Sequence, residues 1–187
     1  MKLPFKVDLS EKVVVITGAG GVICSTLAKA VGACGAKVAL LDLNKEAAQK
    51  WADEIVAEGG IAKAYECNVL QKDSIEKAHR EILADFGKCD ILLNGAGGNN
   101  PRATTDNEYF HEEDLGEMKT FFDLDQAGVE FVFNLNFIGT LLPTQVFAKD
   151  MLGKKGCSII NVSSMNATFS ITFILIFIIN NFFRKII

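Results

Sequence analysis

Apolar and polar residues fall along this chain in blocks, each closed by glycine or by a charge. Val13 to Ile16 is an uninterrupted run of β-branched residues, followed at once by the glycine cluster Gly18-Ala19-Gly20-Gly21. Such a run bounded by a turn signal predicts a short strand buried on both faces. The small and apolar stretch from Val22 to Ala33 then predicts a helix packed closely on a sheet. The alternation continues, with Lys37 to Asp42 reading as a second strand and Lys45 to Glu58 as an amphipathic helix that Gly59-Gly60 ends. Ile61 to Cys67 is the third strand, running into Asn68-Val69, and Lys72 to Phe86 a helix stopped by Gly87. Cys89 to Leu93 is the fourth strand, and it opens on Asn94-Gly95-Ala96-Gly97-Gly98, a second glycine-rich turn. A helix from Gln126 to Met151 and a strand ending at Ser163-Ser164 follow.

Strands that alternate with helices of this length predict a doubly wound α/β fold with a parallel sheet. In that arrangement glycine turns after neighbouring strands face one crevice at the carboxyl edge of the sheet. A turn that lets a pyrophosphate reach the backbone cannot carry side chains there, and the helix behind it offers unpaired N–H groups to the anion. Gly18, Gly20 and Gly21 supply that room. Asp42, at the tip of the second strand, suits the two ribose hydroxyls of an adenosine and repels a 2′-phosphate, which argues for NAD over NADP; the ordinary alternative is an aspartate capping the next helix. Trp51 reads as a core or flank residue.

Composition narrows the classes without choosing among them. The chain has 187 residues, is 49% hydrophobic and carries a formal charge of −4, enough for one sizeable core and without the basic excess of a nucleic-acid binder. Cys24, Cys34, Cys67, Cys89 and Cys157 lack a CxxC spacing and lie mostly beside apolar segments, so they read as buried thiols in a reducing cytoplasm. Met1 to Ser10 mixes charges and lacks a secretory apolar core.

Taken as an ordered set, Thr17 to Ile23, Asp42, Asn68-Val69, Asn94 to Gly97, Asn136 and Ile159 to Ser164 resemble the short-chain dehydrogenases/reductases over roughly residues 7 to 166. The long insertion between Gly98 and Asp125, with Asn134 to Gln145, resembles the D-mannonate oxidoreductase (fructuronate reductase) branch of that family. The resemblance implies a Rossmann sheet, here five strands in order 3-2-1-4-5, with residues 1–166 as the NAD-binding part. It implies NAD contacts from Gly18, Gly20, Gly21, Ile23, Asp42, Asn68, Val69, Asn94 and Ala96, a substrate-oxygen contact from Ser164, and a relay water at Asn136. It further implies a small-molecule substrate, a sugar acid in that branch, a homo-oligomeric full-length protein and a cytoplasmic location. No metal enters this chemistry. Where the family's TGxxxGxG would place glycine, this chain has Val22 and Cys24, so the turn reads as one residue shorter. In the insertion Arg102, His111 and Lys119 are the side chains that could hold a carboxylate, with a solvated surface as the ordinary alternative.

The pattern breaks after Ser164. The family's tyrosine would fall near Ile176 to Ile178 with a lysine four residues on, and Phe177 and Asn181 stand there instead. Phenylalanine has no proton to give and asparagine no charge. From Ala167 to Ile187 the chain is almost entirely Ile, Phe, Asn, Thr and Lys, the bias that out-of-frame translation of an AT-rich gene would produce. A truncated or frameshifted product is therefore expected, and the helix from Gln126 to Met151 is then expected to expose Phe131, Phe133, Leu135 and Phe147. A tail anchor is the rival reading, although the run from Phe169 to Ile179 is shorter than the ~20 residues a spanning helix needs. A non-catalytic nucleotide-binding protein is the corresponding functional alternative.

Overall fold

The computed structural model describes residues 7–107 and 109–164. The tail 167–187, including Phe177 and Asn181, lies outside them. Five strands, β1 (Val13–Thr17), β2 (Lys37–Asp42), β3 (Ile61–Glu66), β4 (Ile91–Asn94) and β5 (Ser158–Asn161), form one sheet in the order β3-β2-β1-β4-β5. Every pairing is parallel. Between them run α1 (Val22–Ala33), α2 (Lys45–Ala57) and α3 (Lys72–Asp85), and later α4 (Gln126–Phe133) and α5 (Gly139–Phe147).

The strands read as continuous apolar runs because helices cover both faces of the sheet. Successive side chains on a strand point to opposite faces. Val13, Val15, Ala39, Leu41 and Tyr65 therefore pack with Ile75, Ala78 and Ile82 of α3 and with Val146 and Phe147 of α5. Val14, Ile16, Val38, Leu40 and Ala64 pack with Cys24 and Ala28 of α1 and with Ala48, Ala52 and Ile55 of α2. The fourth strand starts and ends later than the apolar run suggested, because Cys89 and Asp90 lie ahead of the ladder and Asn94 pairs with Thr17 and Asn161.

Two compact units divide the chain. Among the described residues, one comprises 7–96 and 139–162 and holds the whole sheet; the other comprises 97–107, 109–138 and 163–164. In the second, the insertion is built of three 3-10 turns, Pro101–Ala103, Glu112–Asp114 and Phe121–Asp123, with Thr120 capping the last. Gln126–Met151 is helical throughout and apolar enough to pass the length and hydropathy test for a membrane span, a test that the core helix of a soluble protein also passes. Phe131 and Phe133 are exposed, as expected for that stretch, but Phe147 is fully buried against the sheet. Phe147 follows the π turn at Asn134–Ile138 and lies in the sheet-bearing unit, where it packs in one cluster with Val146, Met151 and the strand residues Val13 and Val15.

At the amino edge of the sheet a buried carboxylate joins three segments. Asp90 accepts the Val13 N–H at 3.1 Å and lies 2.8 Å from Lys154 Nζ and 3.5 Å from Lys12 Nζ. Burial pushes its pKa up, but the Lys154 hydrogen bond, the Val13 N–H and the two ammonium charges outweigh that and hold it below the ordinary value. A folded-state pKa below the unfolded one contributes stability that is present above about pH 4 and lost as pH falls through the folded value. Asp90→Asn should cost about 2 kcal/mol at neutral pH and flatten the fall in Tm below about pH 4. Thermal melts of both proteins across that range check this, and parallel melting curves at every pH would contradict it.

Candidate functional site

The sheet-bearing unit brings its polar residues together at the carboxyl ends of β1 to β4. β1 ends at Thr17, whose buried hydroxyl accepts the N–H groups of Gly95 at 3.1 Å and Ala96 at 3.2 Å. This bond ties the turn after β1 to the turn after β4. The two turns are in direct contact: Gly18 has φ +68°, and a Cβ there would stand 2.8 Å from the backbone N and Cα of Ala96. The two glycine clusters thus share one edge of the sheet, as the sequence pattern requires.

The turn itself has few N–H groups to spare. Ala19 N–H donates to the Leu41 carbonyl at 3.1 Å, Gly20 N–H to Asp42 Oδ2 at 2.9 Å, and Gly21 N–H to the Gly18 carbonyl at 3.1 Å. The first bond of the α1 ladder runs from Ser25 N–H to the Gly21 carbonyl. Val22, Ile23 and Cys24 precede that ladder, and the first N–H groups of a helix have no intrahelical acceptor. Gly21 caps α1 without a side chain, and no acidic residue stands in its first turn. Its positive dipole end therefore has no protein carboxylate of its own helix to neutralise it. The room and the first N–H groups of α1, those of Val22, Ile23 and Cys24, suit a phosphate.

Asp42 is not the cap of α2. Asn44 is: its Oδ1 accepts the Ala47 N–H at 3.0 Å. Asp42 takes one hydrogen bond on each oxygen, from Gly20 N–H and from Asn44 N–H at 2.8 Å, so each keeps a lone pair in a partly buried setting. A Cβ on Gly20 would stand 3.0 Å from that carboxylate. A carboxylate pressed onto the phosphate turn, with acceptor capacity left, fits a ribose diol. The residues present therefore fit an adenosine pyrophosphate.

The remaining residues line the same edge. Asn68 follows β3 and spends its Oδ1 on the Leu70 N–H at 3.0 Å, while Val69 is buried against Gly139. Asn94 donates its Nδ2 to Thr144 Oγ1 at 3.0 Å and to Asn161 Oδ1 at 2.9 Å, and its Oδ1 is a buried acceptor with no partner among the described residues. Two thiols border the site, and neither is a nucleophile. Burial, and after it the Asp42 charge, pushes Cys24 up; burial carries Cys67 to about 12, with Ser74 pulling the other way and Asp42 adding to the rise.

The second unit holds the other two expected residues. Asn136 lies in the π turn, and its side chain grips Gly98 at two points, with Oδ1 accepting the Gly98 N–H at 2.9 Å and Nδ2 donating to the Gly98 carbonyl at 2.8 Å. A Cβ on Gly97 would stand 2.7 Å from Asn136 Oδ1. Both ends of that side chain are thus committed to backbone. Ser164 is partly buried, beyond the end of β5. In the insertion, Arg102 is ion-paired with Asp125 and Lys119 Nζ donates to the Pro101 carbonyl at 2.5 Å, so both hold the loop together; His111 is exposed. The loop carries an open cleft of about 30 Å³ lined by Tyr109, Phe110, Met118 and Phe121 among others, too small to bury a sugar acid.

Two features had no signal at the level of residue pattern. Thr17 reads as the first residue of the turn motif after the apolar run, and its role as a double acceptor depends on the turn after the neighbouring strand. Trp51 donates its Nε1–H to the Gly20 carbonyl at 3.2 Å, a contact set by the rotation of α2 about its axis.

Comparison with known proteins agrees with this geometry. A family model described as short chain dehydrogenase matches residues 12–175. An uncharacterized oxidoreductase of Haemophilus influenzae is 64% identical over 161 residues, which cover 86% of this chain and 56% of the relative. An uncharacterized oxidoreductase of Bacillus subtilis is 45% identical over 165 residues, 88% of this chain and 59% of that one. A crystal structure from Haemophilus influenza with bound NAD, provisionally assigned as a D-mannonate oxidoreductase, superposes with a TM-score of 0.87 at 60% identity, over 89% of this chain and 60% of that one. A 7α-hydroxysteroid dehydrogenase complexed with NADH and 7-oxo glycochenodeoxycholic acid gives 0.73 at 29% identity, over 87% of this chain and 56% of its own. The chain thus spans less than two thirds of the length of these relatives.

Proposed function

Because this chain belongs to the short-chain dehydrogenase family, as the match over residues 12–175 shows, we propose that it is the NAD-binding part of an oxidoreductase of the D-mannonate/D-fructuronate type, and that as written it does not turn over. The observation that carries the cofactor half is Asp42, with its carboxylate on the Gly20 N–H and acceptor capacity left on both oxygens. The likeness to an NAD-bound structure supports the same choice. The sugar-acid substrate is supported by that structure's provisional assignment and by the long insertion between Gly98 and Asp125.

The nicotinamide cofactor, when bound, would supply the hydride acceptor as NAD and the hydride donor as NADH. The chain's own residues bind and orient it. The N–H groups of Val22, Ile23 and Cys24 face the pyrophosphate, Asp42 accepts the ribose hydroxyls, and Asn68, Val69, Asn94 and Ala96 border the adenosine and ribose side. Ser164 would hydrogen-bond the substrate oxygen, and Asn136 keeps the backbone at Gly98 in place for the relay. What is missing is a group to move the proton: no tyrosine follows Tyr109, and Phe177 and Asn181 stand where the tyrosine and lysine belong. Hydride transfer to a carbonyl without a proton donor leaves an alkoxide that nothing at those positions neutralises. A cytoplasmic protein that works on a small molecule fits this reading, and the full-length relatives would supply the oligomer.

Calorimetric titration tests the cofactor half. NADH should bind, and NADPH should bind at least about ten-fold more weakly, because its 2′-phosphate meets the Asp42 carboxylate in a partly buried place. Asp42→Ala should remove that preference. The absence of any heat with NADH would sink the reading. D-fructuronate added to the NADH complex should leave the 340 nm absorbance of the cofactor (roughly, its nicotinamide band) unchanged, and oxidation at an ordinary enzymatic rate of about 1 s⁻¹ would overturn the second half.

A further inference from the structure

We propose that Trp51 is a positioning residue for the pyrophosphate turn: its indole holds the Gly20–Gly21 peptide so that the first N–H groups of α1 keep their aim. The proposal rests on the nucleotide-binding reading above and adds a residue to it.

The peptide between Gly20 and Gly21 is held at both ends. Its carbonyl accepts Trp51 Nε1–H at 3.2 Å, and its N–H donates to the Gly18 carbonyl at 3.1 Å. On the other side of the Gly20 Cα, the N–H is held by Asp42 at 2.9 Å. Glycine is the residue whose backbone loses most freedom on being ordered, so its conformation has to be imposed from outside. No larger residue could impose it from within, because a Cβ at Gly20 would stand 3.0 Å from the Asp42 carboxylate and 3.1 Å from Ala47 Cβ. Trp51 and Asp42 are therefore the two external restraints on this position, one from α2 and one from the tip of β2.

The restraint passes directly to the helix. Gly21 is the N-cap of α1, and its carbonyl accepts the first ladder bond, from Ser25. The plane of the peptide immediately before it sets where the N–H groups of Val22, Ile23 and Cys24 point. Trp51 is itself fixed. Lys29, on α1, lies 4.2 Å from the centroid of its ring and is ion-paired with Glu54, and Lys50 lies 4.9 Å from the same ring. The Lys29 ammonium ties α1 to α2 through the indole, and Lys50, on α2 itself, adds a second positive charge beside the side chain that holds the turn. A tryptophan that only filled space would not need an acceptor in the phosphate turn, since its partly buried N–H could have been left to water.

The chain has one tryptophan, so its ¹H–¹⁵N spectrum has one indole signal. In the wild-type protein, ADP should shift that signal, and adenosine, which lacks the phosphates, should move it much less. Trp51→Phe keeps an aromatic ring and removes the donor. It should weaken NADH and ADP by about five-fold, the worth of one neutral hydrogen bond, and leave adenosine affinity unchanged. A space-filling role would lower Tm and weaken all three ligands alike or none. Unchanged ADP affinity, an equal loss for ADP and adenosine, or an indole signal that stays in place at saturating ADP would each overturn the proposal while the wild type still binds NADH. If the wild type binds neither NADH nor ADP, the cofactor reading itself has failed and this proposal falls with it. Should Trp51→Phe not fold, the wild-type spectrum still decides.

Discussion

Gly18→Val should abolish measurable NADH binding and lower the unfolding free energy by about 3 kcal/mol or more. Two independent costs meet at this residue. Gly18 has φ +68°, a region that costs an L-residue about 1–2 kcal/mol and a β-branched one more. Its Cβ would also stand 2.8 Å from the N and Cα of Ala96 and 3.0 Å from the Gly95 carbonyl carbon. These are backbone atoms, so no rotamer change relieves the contact. The turns after β1 and β4 would have to part, and the bonds from Gly95 and Ala96 N–H to Thr17 Oγ1 would lengthen or break. Nucleotide binding should fail first, because the displaced segment leads directly into α1. Denaturant unfolding and calorimetry check the two effects separately. Gly18→Ala should show the same direction with a smaller loss, and an alanine variant with unchanged stability and affinity would mean that the contact between the turns is soft.

The strands and their parallel sheet were legible because that information is local, while their order came from the family resemblance. Each apolar run is closed by a glycine, a charge or a cap, and runs that alternate with helices leave few alternatives to a parallel sheet. The carboxyl-edge residues were legible for the same reason: Gly18, Asp42, Asn68 and Asn94 each stand at the end of a run, so naming the strands places all four at one edge of the sheet. What escaped depends on rotation and approach. Whether Trp51 meets the Gly20 carbonyl is decided by how α2 turns about its axis, and an amphipathic pattern fixes that angle only to within a side chain. The π turn at Asn134–Ile138 is invisible to a periodicity argument, and Phe147, expected on the exposed face, is buried in the sheet core. Arg102 and Lys119 look like ligands in a list of residues and turn out to brace the insertion, one on Asp125 and the other on Pro101, because a long loop must satisfy its own polar groups.

Gly95→Ala should cost about 3 kcal/mol, and Cys24→Gly should restore much of it. The resemblance to the family places glycine where this chain has Cys24, and the structure shows what makes the substitution possible. A Cβ on Gly95 would stand 2.1 Å from Cys24 Sγ, so the two positions share one volume. Cys24 is buried in the third position of α1, in one packed cluster with Val14, Ile16 and Leu93 of the strands on that face. Gly95→Ala therefore drives α1 away from the sheet or forces the thiol off its rotamer, at the upper end of the usual overpacking cost of about 1–3 kcal/mol. Because Cys24 supplies one of the N–H groups proposed above to hold the pyrophosphate, NADH affinity should fall with stability. Cys24→Gly alone should cost about 1 kcal/mol, from lost packing and from glycine in a helix. In the double variant the shared volume is vacated by one residue and filled by the other, so the losses should be less than additive by about 2 kcal/mol. Recovery should stop short of complete, since the new Cβ still lies 3.0 Å from the Thr17 carbonyl oxygen. Chemical unfolding of the four proteins closes the cycle. If the two costs add to within about 0.5 kcal/mol, the thiol and the glycine do not compete for space, and the cysteine in this turn has to be explained by something other than packing.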